Sequence, residues 1–156
     1  MEKTLLIGLG NPILGDDGVG IYVVRAVRER YHDGDLSIVE ASLAGLDLLD
    51  MLDGYDRVIV VDAIQTTAGK AGKIFRLTPA DFDAVGHSGS PHDIDFTTAL
   101  KLGEKLGMSL PREIVFFGIE AWNVTTFSEE CTPRVQEAIP AAVDMVIGEL
   151  DKALTS

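Results

Sequence analysis

Several features are scarce in this chain, and each scarcity excludes something. There is one cysteine, Cys131, so no internal disulfide can form, which fits a reducing compartment. Basic residues are few: 13 Lys and Arg stand against 25 Asp and Glu, a formal net charge of −12. A surface that tracks phosphates needs the opposite sign, so nucleic acid is not expected as a partner. Such a field favours cations or basic peptide segments instead. No apolar run approaches the roughly 20 residues of a membrane span. Met1-Glu2-Lys3-Thr4 leads straight into a strand-like run, without the charged and apolar regions of a signal peptide, so a cytoplasmic location is expected. Repeats, low-complexity tracts and linkers are lacking too, so residues 1–156 read as a single domain.

What is present is an ordinary globular composition, 46% hydrophobic and 24% charged, in a chain of 156 residues, long enough to bury a core. The chain is organised around its first loop. Thr4 to Leu9 is a continuous apolar run, as in a strand covered on both faces. It ends in Gly10-Asn11-Pro12-Ile13-Leu14-Gly15, which delivers Asp16 and Asp17 to an amphipathic segment through Ile21, Val24 and Tyr31. Leu36 to Glu40 alternates as a strand, and Ala44-Gly45 opens a short helix through Leu52. Arg57 to Ala63 is the clearest central strand, β-branched until Asp62. Lys73 to Leu77 reads as an edge strand and Thr78-Pro79 as a helix start. Residues 86–93 read as a long loop, Asp95 to Gly107 as a helix, Glu113 to Glu120 as a buried strand and Asn123 to Thr132 as a loop. A final helical stripe runs through Val135, Ile139, Val143, Val146, Leu150 and Leu154, with Pro140 expected to kink or interrupt it. Alternating strands and helices predict an α/β fold: a three-layer α/β/α sandwich around a mostly parallel sheet of about five strands.

The glycines of the first loop do not make a phosphate cradle. Ile13 stands where a dinucleotide fingerprint needs glycine, no Gly-Lys-Ser/Thr follows, and two aspartates would repel a phosphate. Two adjacent aspartates exceed what capping one helix requires, so one is expected to cap and the other to face the crevice at the strand ends. Asp62 ends a central strand at that same edge. With an imidazole from the 86–93 stretch, His87 or His92, the two acids would form an open divalent-metal site. His92 is preferred because Pro91 restrains the backbone before it. His32 follows a helix and reads as surface. The serines lack a nucleophile elbow, and Cys131 follows two glutamates that would raise its thiol pKa.

Gly8-x-Gly10-Asn11, followed by Asp16-Asp17-Gly18-x-Gly20, resembles the opening motif of the hydrogenase maturation endopeptidases. Val60-Val61-Asp62-Ala63 and Ser90-Pro91-His92 resemble the family's later patches, in the same order, and the likeness spans about Lys3 to Ala153. The resemblance implies removal of a C-terminal extension from the large-subunit precursor of a nickel–iron hydrogenase. It implies metal ligands at Asp17, Asp62 and His92, and nickel already held by the precursor when it is read. One departure is Glu40-Ala41-Ser42-Leu43, where the family commonly has Asp-Gly-Gly-Thr. Gly8-Leu9-Gly10-Asn11-Pro12 also looks like the start of peptidyl-tRNA hydrolases, but their Arg-His-Asn segment is missing and the net charge suits tRNA badly.

The expectation is therefore a monomeric, metal-guided endopeptidase whose ion polarises the scissile carbonyl, activates water, or only anchors the peptide while a carboxylate such as Asp16 acts as base. The alternative is a non-catalytic module that binds the same precursor and checks its metal.

Overall fold

A computed structural model describes residues 2–42, 46–67, 69–87 and 95–152, and at 46, 86 and 87 the backbone only. Its strands are β1 (Thr4–Leu9), β2 (Leu36–Ala41), β3 (Arg57–Gln65), β4 (Ile74–Leu77), β5 (Gly86–His87) and β6 (Glu113–Glu120). Its α-helices are α1 (Val19–Arg30), α2 (Leu46–Leu52), α3 (Pro79–Ala84), α4 (Phe96–Lys105) and α5 (Pro133–Asp151), with a 3-10 turn at Gly15–Gly18.

The strands form one sheet in the order β2-β1-β3-β6-β4, with β5 added to β3. β2, β1, β3 and β6 are mutually parallel, while β4 and β5 pair antiparallel. The count exceeds the expected five by β5, a two-residue strand inside the stretch read as a loop. A strand this short carries no periodicity for sequence to display.

Alternation along the strands sorts side chains between two helical layers. Leu6, Ile59, Val61, Val115, Phe117 and Ile119 share a core with α1 and α5. Leu5, Ile7, Val58, Val60, Ile64 and Phe116 share another with α2, α3 and α4. In the second core, Phe82 stacks on Phe116 with ring centroids 4.1 Å apart and Phe96 meets it edge-on at 5.1 Å. The three-layer sandwich is thus as expected. Thr78 and Asp81 form a capping box at α3, and the Asp95 side chain caps α4 by accepting from Thr98 N–H.

α5 runs through Pro140 without interruption. Proline removes one backbone donor, but Val135, Val143 and Val146 on the same helix are fully buried against the sheet, and that burial holds the helix together. At its far end the buried Arg57 guanidinium donates to the carbonyls of Glu149 (3.0 Å), Leu150 (3.1 Å) and Lys152 (2.8 Å). These are carbonyls of the helix's last turn, where helical donors run out; that of Glu149 also accepts from the Lys152 N–H at 3.2 Å.

Strand order places a topological switch between β1 and β3, since the chain leaves β1 toward β2 and leaves β3 toward β6. Open α/β sheets bind ligands there, outside the carboxyl ends of the strands. The glycines of the first loop close this junction. A Cβ on Gly20 would collide with the Val61 carbonyl of β3 and lie 2.7 Å from that of Leu9, and one on Gly8 would lie 2.7 Å from the Gly20 carbonyl. The start of α1 therefore rests directly on the tips of β1 and β3. Gly20→Ala is expected to cost about 1–3 kcal/mol through overpacking, read as a lower urea midpoint at unchanged slope.

Candidate active site

The junction between β1 and β3 holds three acids. The Asp17 carboxylate is buried, and its Oδ2 accepts from Asn11 N–H at 2.9 Å. This is possible because Gly10 adopts φ +135°, turning the loop back so closely that a Cβ there would strike the Asp17 carbonyl. Asp62 lies on β3 one residue beyond the last pairing of that strand with β1, Gly8 with Val61. It shares the side-chain parity of Val58, Val60 and Ile64 and is buried, with Oδ1 accepting from Ala63 N–H at 2.8 Å. As β1 leaves the sheet, the loop carrying Asp17 takes its place beside Asp62.

The two carboxylates feel each other. Burial pushes Asp62 well above the ordinary carboxylate range, the Asp17 charge pushes it further, and the Ala63 N–H opposes both. Two like charges held together in a low-dielectric crevice are stabilised by a shared proton or by a cation. The oxygen pair fits a divalent ion, and an imidazole would bring it into the range of nickel or zinc. Among the described residues no third His, Cys, Asp or Glu joins them in a metal-holding group. His92 lies outside the described residues. His87 is placed by its backbone, paired to Ile64. β6 occupies one flank of β3 as far as Ile64, so β5 takes the flank that β1 vacates. His87 thus pairs two residues beyond Asp62 on β3.

Asp16 is not the helix cap, and it is not placed to act as a base. It sits in the 3-10 turn, and α1 has no side-chain cap. The carboxylate is 0% exposed. It accepts from the N–H groups of Trp122 (2.9 Å), Asn123 (3.0 Å) and Thr132 (2.6 Å) and from the Thr132 hydroxyl (2.8 Å). Four donors on two oxygens leave it no role with substrate. It ties the loop after β6 to the loop after β1. Nor does Asp17 cap α1; it serves the turn at Asn11 instead.

Glu40 and Cys131 take a different form from the one expected. Glu40 is bound by arginines of α1: Arg25 Nε and Nη2 donate to its two oxygens at 2.9 Å each, with Arg28 at 3.5 Å. Those bonds hold the Glu40 carboxyl below its usual range. Its difference from the family run therefore has a local structural use, joining β2 to α1. Cys131 is buried and its thiol is pushed up to about 12, but by burial first and Asp16 second, not by the preceding glutamates. His32 is exposed, as expected.

The family model described as hydrogenase maturation protease matches residues 21–149. The chain belongs to the hydrogenase maturation protease family. The Hydrogenase 2 maturation protease of Escherichia coli strain K12 is 26% identical over 150 residues, covering 95% of this chain and 90% of that protein. The hydrogenase maturating endopeptidase HybD from the same species superposes with a TM-score of 0.80 over 95% of this chain and 91% of its own. The hydrogenase 2 maturation peptidase from Thaumarchaeota archaeon SCGC_AB-539-E09 is 25% identical, with a TM-score of 0.68 over 96% and 99%. Membership places the chain among the proteases of hydrogenase maturation. No helix among the described residues is long and apolar enough to cross a membrane.

Two features of this maturation protease had no visible signal in its sequence. The bonds of Asp16 go mainly to backbone donors more than a hundred positions away. The exposed side chains of Trp122 and Phe127 sit in a loop without periodicity.

Proposed function

We propose that the chain removes the C-terminal extension from the large-subunit precursor of a nickel–iron hydrogenase, and that Asp17, Asp62 and His92 grip the nickel the precursor brings. The observation that carries this reading is the burial of two carboxylates at the β1–β3 switch, close enough for one to raise the pKa of the other. Two buried carboxylates held this close favour a shared proton or a bound cation. Nickel arriving on the precursor relieves that repulsion only when it is present, so a precursor without the metal loses the anchoring interaction. Gripping the metal also places the adjoining peptide over the strand tips, which converts cleavage into a positioned, effectively intramolecular event. The ion supplies charge to polarise the scissile carbonyl or to activate water. Asp17, fixed by Asn11 N–H, and Asp62, fixed by Ala63 N–H, supply rigid oxygens. A donor set of two protein oxygens and one nitrogen holds an isolated ion poorly, so the free protein is expected to bind nickel weakly.

The test is incubation of the purified protein with nickel-loaded and nickel-free precursor, following tail loss by intact mass. Cleavage of the loaded form alone is expected. Equal cleavage of both removes metal guidance. Binding of the loaded form without cleavage by the unaltered protein favours a metal-checking module.

A further inference from the structure

Ile13, Trp122 and Phe127 are exposed by 46%, 75% and 80% of their surfaces. All three stand on two loops that are zipped together. Ser128 N–H donates to the Ile13 carbonyl at 2.9 Å, and Gly15 N–H donates to that of Ser128 at 3.0 Å. Asp16 binds the backbone of Trp122 and Asn123 on the same joint. The loop between the aromatics is stiffened by Asn123, whose Oδ1 accepts from the N–H groups of Thr125 (3.0 Å) and Thr126 (3.1 Å). The Tyr22 hydroxyl lies 2.6 Å from the carbonyls of Pro12 and Glu129, so α1 pins both loops at once.

These are not floppy surface residues. The chain spends much of its loop hydrogen bonding on a rigid platform, and then leaves large apolar side chains standing on it in water. Exposed apolar patches with polar rims mark interaction sites. Rigid aromatic anchors are favoured at such sites because little conformational entropy is lost when they are covered. The rim is acidic: Glu129 and Glu130 are exposed beside Phe127, on a chain of net charge −12. The platform also continues directly into the 3-10 turn that carries Asp17.

We infer that the loops at residues 11–16 and 122–130 form a docking platform for an apolar segment of the precursor that carries lysine or arginine, seated beside the Asp17–Asp62 pair. This rests on the reading of the chain as the precursor's protease. It would let the protease recognise its client by more than the metal. Two carboxylates read a metal, but the surface around them must read the protein. Ile13, Trp122 and Phe127 supply the area, and Glu129 and Glu130 set the charge of what is accepted.

Trp122 is the only tryptophan, so protein grown with 5-fluorotryptophan has a single fluorine resonance. Adding nickel-loaded precursor is expected to shift it. Trp122→Ala and Phe127→Asp should each raise KM for the precursor by about tenfold or more, with kcat within about twofold. Both side chains are exposed, so unfolding midpoints should hold. As a measurement independent of apolar packing, the double variant Glu129→Lys, Glu130→Lys should raise KM most at low salt. Unchanged KM in all three variants, while tail removal proceeds, would overturn the platform and leave the protease reading intact. A fluorine shift that follows the protein's own concentration, with no response to precursor, would assign the surface to a second copy and overturn it too. Failure of the unaltered protein to bind or cut any loaded precursor would sink the protease reading first, and the platform with it.

Discussion

Asp62→Asn is expected to abolish tail removal, by a factor of at least about 100, while leaving the protein as stable as before or more so. The two halves of that outcome have one cause. Asp62 is buried and sits beside Asp17, and both circumstances penalise its charge, as the upward push on its carboxyl shows. The amide is nearly isosteric and keeps an oxygen for the Ala63 N–H that now donates to Oδ1. What disappears is the second negative charge. Relief of like-charge repulsion in a buried crevice favours folding, and a gain of about 1 kcal/mol would lift the melting midpoint by about 2–4 °C in a chain of this size. The same neutralisation removes an anionic oxygen from the pair we propose as the grip on the precursor's nickel. Thermal unfolding and precursor cleavage, measured on one preparation, check both halves. A variant that melts much lower would make Asp62 a structural residue; one that cuts normally would remove the pair from the mechanism.

Such a signature, stability held while activity is lost, separates Asp62 from Asp16. Sequence could point to Asp62 because its context is local: an unbroken β-branched run, Arg57 to Ala63, that stops in a carboxylate. A strand with eight buried residues in succession must be central, and its carboxyl end must open at the crevice. The glycine-rich first loop was legible for the same reason, as a strand-to-helix turn. What its glycines are for was not. Gly8 and Gly20 answer to each other and to a carbonyl of β3, a partner some forty positions further along the chain. Glu40 looked like a gap in a family run, while its Arg25 and Arg28 lay at helical spacing on α1; only the parallel pairing of β2 with β1 brings them together. β5 was invisible because two residues cannot show alternation. Pro140 does not interrupt α5, because the burial of Val135, Val143 and Val146 around it, invisible to a local reading, offsets the missing donor.

Asp16→Ala should fail in the opposite manner, by unfolding the architecture around the site. Asp16 and Asp17 are adjacent and chemically identical, so sequence offers no reason to separate them. The structure separates them by their partners. Removing the Asp16 carboxylate strands three backbone N–H groups and one hydroxyl in a partly buried joint, the donors being Trp122, Asn123 and Thr132. An unsatisfied buried donor costs about 1–3 kcal/mol, and some of these would recover water, so a total of about 3 kcal/mol is expected. At about 2–4 °C per kcal/mol, the melting midpoint should fall by about 6–12 °C. Asp16→Asn should recover only part of the loss: an amide oxygen at the Oδ2 position keeps Trp122, Asn123 and the Thr132 hydroxyl, but the amide nitrogen then faces the Thr132 N–H, which also donates. The kinetic expectation is equally distinct. Asp16 holds the loop that bears Trp122 and Phe127 against the loop that bears Ile13, so its loss should loosen the client's footing and raise KM at temperatures where the protein remains folded. A general base would behave otherwise: kcat would collapse, KM would hold, and the melting midpoint would not move. Melting curves together with a KM–kcat split on Asp16→Ala therefore distinguish a tether from a proton acceptor. A midpoint unchanged from that of the unaltered protein would reject the tether, because four bonds to a fully buried carboxylate cannot vanish without cost.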